Sequence, residues 1–213
     1  LLGLKGWINA LGFANGFVNF INETLSMWLP VDVYVALSDM TKAKMIKKGI
    51  ISGRTFVIYP GILKFVKNNK IKQIKQIVSV NRLVKYKETE IVIKALTELK
   101  KRSINLNYKI IGDGPEKLNL INLAKKNKLK NVSFLGYLPN DKALAIIKES
   151  QVFCLPSSIE GFGIVTLEAA GMGVPFINSD IDVHQEIMKN SNAGLLFKLH
   201  DHIDLANKIE SLI

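Results

Sequence analysis

The chain has 213 residues, 48% of them hydrophobic, with 29 Lys and Arg against 18 Asp and Glu and a formal charge of +11. That much apolar material excludes an intrinsically disordered chain and suffices for one sizeable core or two modest ones. A single cysteine, Cys154, excludes a disulfide framework and suits a reducing compartment.

The sequence opens "LLGLKGW" rather than on Met, so a true N-terminus is expected upstream. Residues Gly6 to Asn22 carry no charge, but Asn9, Asn15, Asn19 and Asn22 make this stretch too polar for a spanning helix. It has no signal-peptide layout either, and the expected location is cytoplasmic. Trp7, Phe13, Phe17, Phe20 and Trp28 fit two readings, a helix on a membrane surface or one buried against a neighbouring domain. The segment "VDVYVALSDMTKAKMIKKGI" then predicts a strand ending at Ser38 and an amphipathic helix. Residues 1–60 therefore read as the tail of an earlier domain, with a boundary near Pro60-Gly61.

From Thr55 the pattern runs in one direction. "TFVIYP" is a strand, "KFVKNNKIKQ" a Lys-rich linker, and "KQIVSVN" a second strand. "ETEIVIKALTELKKR" spaces Ile91, Ile93, Ala95, Leu96 and Leu99 as a helix does. Strands at "NYKIIG", "NVSFLG", "QVFCLP", "VPFINS" and "GLLFK" alternate with helices at "EKLNLINLAKKNKL", "NDKALAIIKES", "GIVTLEAAGMG", "VHQEIMKNS" and "HIDLANKIESLI". Such alternation with short loops predicts an α/β fold, a Rossmann-like parallel sheet with helices on both faces. Runs such as "VFCL" are apolar on both faces, as a covered sheet requires, and place Cys154 in the core. Ligands of these sheets bind beyond the strands' carboxyl ends, where the unusual polar residues gather.

One such loop is "SSIEGFGIVTLEAAG", Ser157 to Gly171. Glu160 follows a strand, Gly161 and Gly163 let backbone approach a ligand, and a helix opens near Gly163. The free N–H groups and positive dipole of that helix end favour a phosphate. Glu168 lies about one turn in. On a continuous helix the two acids would stand roughly 12 Å apart, beyond the roughly 5 to 10 Å of paired glycosidase carboxylates. With Glu160 in the loop they can flank one extended, polyhydroxylated, phosphate-bearing ligand. The alternative is that Glu160 merely caps the helix and Glu168 faces solvent.

A second loop, "SVNRLVKYKE", puts Arg82 and Lys87 at a strand's carboxyl end, cations suited to a diphosphate; Lys85 reads as ordinary surface. "GDGP" reads as a tight turn before a Pro-started helix. No strand–GxGxxG–helix element and no P-loop occurs, which argues against a dinucleotide oxidoreductase. "SDIDVH" sets Asp180, Asp182 and His184 at alternating positions; acids capping the next helix are preferred to a metal site. The basic charge fits an anionic partner or merely solvated Lys-rich faces. Nucleic acid is not expected, because the cations lack interleaved stacking aromatics.

Taken together, "PSSIEGFGIVTLEAAGMGVPFINSD", "VNRLVKYKE", "KIIGDGPEKLNL" and "VSFLGYL" resemble the retaining glycosyltransferases of family 4, also called glycosyl transferase group 1. The resemblance covers roughly Val31 to Ile213. It implies a GT-B fold of two Rossmann-like domains, with residues 61–213 as the nucleotide-sugar-binding domain and its final helices missing. It implies sugar transfer from a UDP-, GDP- or ADP-sugar, with retention and without cofactor or metal. The acceptor, a glycan, lipid or small molecule, is left open, and a lipid acceptor would bring the protein to the cytoplasmic membrane face. Arg82 and Lys87 would neutralise the donor diphosphate, Glu160 bind the transferred sugar and Glu168 the ribose. Backbone at Phe162, Gly163 and Ile164 would contact sugar and phosphate, and Gly136, Tyr137 and Leu138 would lie against the base. Glu88 departs from the family's usual Gly and adds negative charge near the phosphates, and Asn81 stands where Gly often precedes the Arg. A second reading, a non-catalytic or partner-dependent nucleotide-sugar-binding fragment, shares every motif.

Overall fold

Apolar runs and helical repeats from Ile74 onward build a six-stranded sheet in which every strand pairing is parallel, whereas the strand expected at "TFVIYP" joins a separate two-stranded sheet. A computed structural model describes residues 3–29, 31–62, 74–189 and 191–213. The Lys-rich linker at 64–73 and the Trp28 side chain lie outside the described residues. Contacts divide the chain into two units, Leu1–Gly61 and Ile62–Ile213.

The first unit holds helices α1 (Gly3–Leu11) and α2 (Phe13–Trp28), strand β1 (Tyr34–Ala36), helix α3 (Asp39–Lys47) and strand β2 (Thr55–Val57). The two strands pair in parallel, Val35 opposite Phe56. Ser38 caps α3, its hydroxyl accepting from the Thr41 N–H at 3.0 Å. Phe13, Phe17, Ile21 and Leu25 recur every fourth residue along α2 and stay exposed, as do Val35 and Phe56 on the small sheet. No helix among the described residues is long and apolar enough to cross a membrane.

The second unit runs β3 (Ile74–Val80), α4 (Thr89–Lys101), β4 (Asn107–Ile111), α5 (Lys117–Lys126), β5 (Val132–Gly136), α6 (Asn140–Glu149), β6 (Ser150–Leu155), α7 (Ile164–Gly171), β7 (Phe176–Ser179), α8 (Asp182–Lys189), β8 (Gly194–Phe197) and α9 (His202–Glu210). Strand order is β5-β4-β3-β6-β7-β8. Successive strand residues point to opposite faces. Ile77, Tyr108, Ile110, Val152, Cys154 and Ile177 pack with α4, α5 and α9, whereas Val78, Ile111, Phe153, Leu155 and Phe176 pack with α6, α7 and α8. Cys154 is fully buried and burial pushes its thiol far above the ordinary range, so it is an inert core residue.

The order reverses between β3 and β6. β3 hands the chain to one side of the sheet and β6 to the other, which opens a crevice beyond their carboxyl ends. The loops that border it are Asn81–Glu88 and Pro156–Gly163.

Candidate functional site

The loops at this edge are tied together in the order of their strands. The Gly112 N–H donates to the Gly136 carbonyl at 2.7 Å, the Asn81 N–H to Ile111 at 3.0 Å, and the Leu83 N–H to Asp113 at 2.9 Å. Across the switch point, the Ser158 N–H donates to the Tyr86 carbonyl at 2.8 Å. The glycines of "GDGP" are more than turn residues. A Cβ on Gly112 would fall 1.9 Å from the Asn81 carbonyl oxygen, and one on Gly114 would fall 2.3 Å from that of Leu83. Only a bare backbone fits between these loops.

Lys87 and Glu160 meet over the crevice. The Lys87 ammonium donates to Glu160 Oε1, and the Ser157 hydroxyl donates to the same oxygen at 2.9 Å. The two side chains are only 15% and 10% exposed, so the pair is largely desolvated. Glu160 is therefore not a helix cap: the residue before α7 is Gly163, in the left-handed region at φ 84° and without a side-chain cap. Glu168 is half-buried on α7, and burial raises its carboxyl above the usual range.

Arg82 is exposed just past β3; its carbonyl accepts from the Val84 N–H at 2.9 Å, and its guanidinium has no hydrogen-bond or ion-pair partner among the described residues. Lys85 is exposed in the same loop. Phe162 turns its ring into the core beside Phe153 and Phe176, while Ile164 is exposed at the first turn of α7. Tyr137, beyond β5, is 84% exposed; Gly136 before it takes φ 69°, and Leu138 packs on the core. The fold thus sets Arg82, Lys87, Glu160 and the Phe162–Ile164 backbone around the switch point. Tyr137 lies two strand positions away, past β4.

Two features were not legible as site chemistry. Glu88 is not a free charge. Its backbone is left-handed at φ 47°, and its carboxylate holds His200 Nδ1 at 2.7 Å. The second feature is His184. Asp180, Asp182 and His184 do not converge on a metal: Asp180 accepts from the Gln185 amide at 2.7 Å, and the His184 ring turns to the Ser179 carbonyl, 2.8 Å from Nδ1. Among the described residues no three His, Cys, Asp or Glu side chains cluster to hold a metal. His184 is wholly buried in α8. A D-x-D-x-H pattern carries no sign of that burial.

Burial holds the His184 imidazole below its ordinary range, outweighing the Ser179 hydrogen bond and the Glu160 and Asp180 carboxylates that raise it; Lys87 lowers it further. In the unfolded chain this group titrates at about 6.5. Its contribution to stability is therefore complete above that pH and is lost as pH falls through the folded value. Thermal melts between pH 7 and 5 are expected to show declining stability, by up to about 1.4 kcal/mol per pH unit within the window. His184→Asn is expected to flatten that decline; an unchanged slope would contradict the assignment.

Solved structures share this architecture. A complex of S. aureus TarM with Fondaparinux, alpha-GlcNAc-glycerol and UDP superposes with a TM-score of 0.78 at 20% identity, covering 94% of this chain and 40% of that one. HepE from Anabaena in complex with UDP and glucose gives a TM-score of 0.74 at 21% identity, over 91% of this chain and 55% of that one. The fold is that of the GT-B glycosyltransferases. Residues 62–213 match the model of the glycosyl transferases group 1 family, and the chain belongs to that family. The O-antigen biosynthesis glycosyltransferase WclY of Escherichia coli is 39% identical over 110 residues, which are 51% of this chain and 30% of that protein. The chain thus spans about half or less of the length of these relatives.

Proposed function

We propose that the chain is the donor-binding part of a retaining glycosyltransferase that takes a sugar from a UDP-, GDP- or ADP-sugar. The observation that carries this reading is the Lys87–Glu160 pair, which joins the β3 and β6 loops at the switch point. An ammonium there, with Arg82 beside it and the amino end of α7 opposite, opposes the charge that builds on the departing diphosphate. Glu160 then accepts hydroxyls of the transferred sugar and Glu168 those of the ribose. The Phe162–Ile164 backbone lies along sugar and phosphate, and Tyr137, flanked by Gly136 and Leu138, offers an open ring to the base. No metal is required by this arrangement, since fixed cations and amides carry the charge.

The support from relatives is consistent: the TarM and HepE complexes contain UDP, and the HepE complex contains glucose. The acceptor is a glycan, a lipid or a small molecule. The net charge of +11 and the exposed Phe13 and Phe17 of α2 fit work on a lipid acceptor at the cytoplasmic face of a membrane.

A thermal-shift panel of UDP-, GDP- and ADP-sugars tests the donor site. At a ligand concentration 100 times Kd, one of them is expected to add about 2.7 kcal/mol, a rise of roughly 5–10 °C for a chain this long. Arg82→Ala and Glu168→Ala are each expected to weaken that donor by about 10- to 100-fold, the loss of a charged hydrogen bond. A wild-type protein whose melting point none of the three moves does not hold this site.

A further inference from the structure

His184 sits where the proposed donor site has no assigned residue. Its Nδ1, 2.8 Å from the Ser179 carbonyl oxygen, must carry the proton, because a carbonyl only accepts. That leaves Nε2 with a lone pair. This atom is buried and has no hydrogen-bond partner among the described residues. It faces the turn before α7: a Cβ on Gly163 would stand 3.6 Å from it. Gly163 carries no side chain, so nothing at that position covers the lone pair. Thr166 Oγ1, near the same turn, gives its hydrogen to the Asn178 amide oxygen at 3.5 Å and accepts from the Asn178 amide nitrogen at 3.0 Å.

A buried acceptor without a donor is costly, and native structures seldom leave one unpaired. The partner must bring hydrogen. Phosphate oxygens only accept and would be repelled by the lone pair, and burial opposes protonating the ring. The groups facing the ring are Glu160, Asp180 and Lys87, of which Lys87 is already given to Glu160. In the donor read above, the base belongs with Tyr137 beyond β5 and the ribose with Glu168. His184 follows β7, on the other side of the switch point from β5. The remaining hydrogen-bearing part of the ligand at that end is the sugar.

We propose that His184 Nε2 accepts a hydrogen bond from a hydroxyl of the transferred sugar, making it a specificity residue beside Glu160. This rests on the nucleotide-sugar reading. The diphosphate contacts and the hydroxyl contact separate in a calorimetric titration of the full chain. The probes are UDP, GDP and ADP, and UDP-glucose, GDP-mannose and ADP-glucose. His184→Asn keeps a donor near Nδ1 and removes the Nε2 acceptor. For the nucleotide that binds, this variant is expected to weaken the sugar derivative about tenfold, the loss of one buried hydrogen bond. The affinity for the diphosphate alone is expected to stay unchanged.

Equal weakening of both ligands would overturn the proposal, because the ring would then only support the turn. No weakening of either would overturn it as well. A wild-type chain that binds none of the six probes would instead overturn the donor reading itself. The wild-type protein gives an independent check. The nitrogen-15 resonance of Nε2, assigned by its loss in His184→Asn, is expected to move on adding the sugar derivative and not the diphosphate. A resonance indifferent to the sugar would sink the assignment.

Discussion

Lys87→Met is expected to lose nucleoside-diphosphate binding by about 100-fold and to destabilise the fold by about 3 kcal/mol. The two losses have different origins. Affinity falls because the ammonium that meets the diphosphate is gone. Stability falls because Glu160, with a side chain only 10% exposed, keeps a charge with the Ser157 hydroxyl as its remaining side-chain support. The double variant Lys87→Met/Glu160→Gln separates them. Removing both charges is expected to restore most of the stability, read by urea denaturation, and none of the affinity, read by calorimetry. A double variant that binds diphosphate like the wild type would remove Lys87 from the site. A single variant as stable as the wild type would show the pair to be solvated.

Gly112→Ala is expected to be the most damaging single-methyl change in the second unit, at about 3 kcal/mol or more. Gly112 sits at φ 131°, where a side chain is strained, and its added Cβ would lie 1.9 Å from the Asn81 carbonyl. That carbonyl belongs to the loop that carries Arg82 and Lys87. The clash therefore cannot relax without moving the cations, and donor affinity is expected to fall with stability. Gly161→Ala is the matched control: no atom of the described residues lies within 4 Å of its added Cβ and its φ is ordinary, so a change within about 0.5 kcal/mol is expected. Denaturation midpoints for the two variants decide the matter; equal midpoints would contradict the close approach.

Much of the second unit was legible from periodicity. Short apolar strand runs such as "VFCL" and helices such as 89–101, with their apolar stripe, each need only local sequence. The placement of Glu160 in a loop and of Glu168 on a helix was legible too, because Gly161 and Gly163 interrupt the pattern. What pairs with what was not. Lys87 and Glu160 are separated by 73 residues, and nothing near either one specifies the other. "GDGP" was readable as a turn, but its glycines answer to Asn81 and Leu83 on a different loop. Glu88 read as an unwelcome charge near the phosphates; its turn toward His200, 112 residues away, depends on the whole sheet. His184 looked like one of three polar alternates. Its burial follows from where α8 lands on the sheet, which a local pattern cannot encode.

The reversal of strand order also governs how the second unit must assemble. β3, β4 and β5 are neighbours in both chain and sheet, and so are β6, β7 and β8. Each triplet can zip from contacts close in sequence. The seam between them cannot: the Ser79 hydroxyl donates to the Cys154 carbonyl across 75 residues. Closing so long an intervening segment costs loop entropy that neither triplet meets within itself. The seam is also where Lys87 meets Glu160, so the crevice exists only once the two triplets have docked.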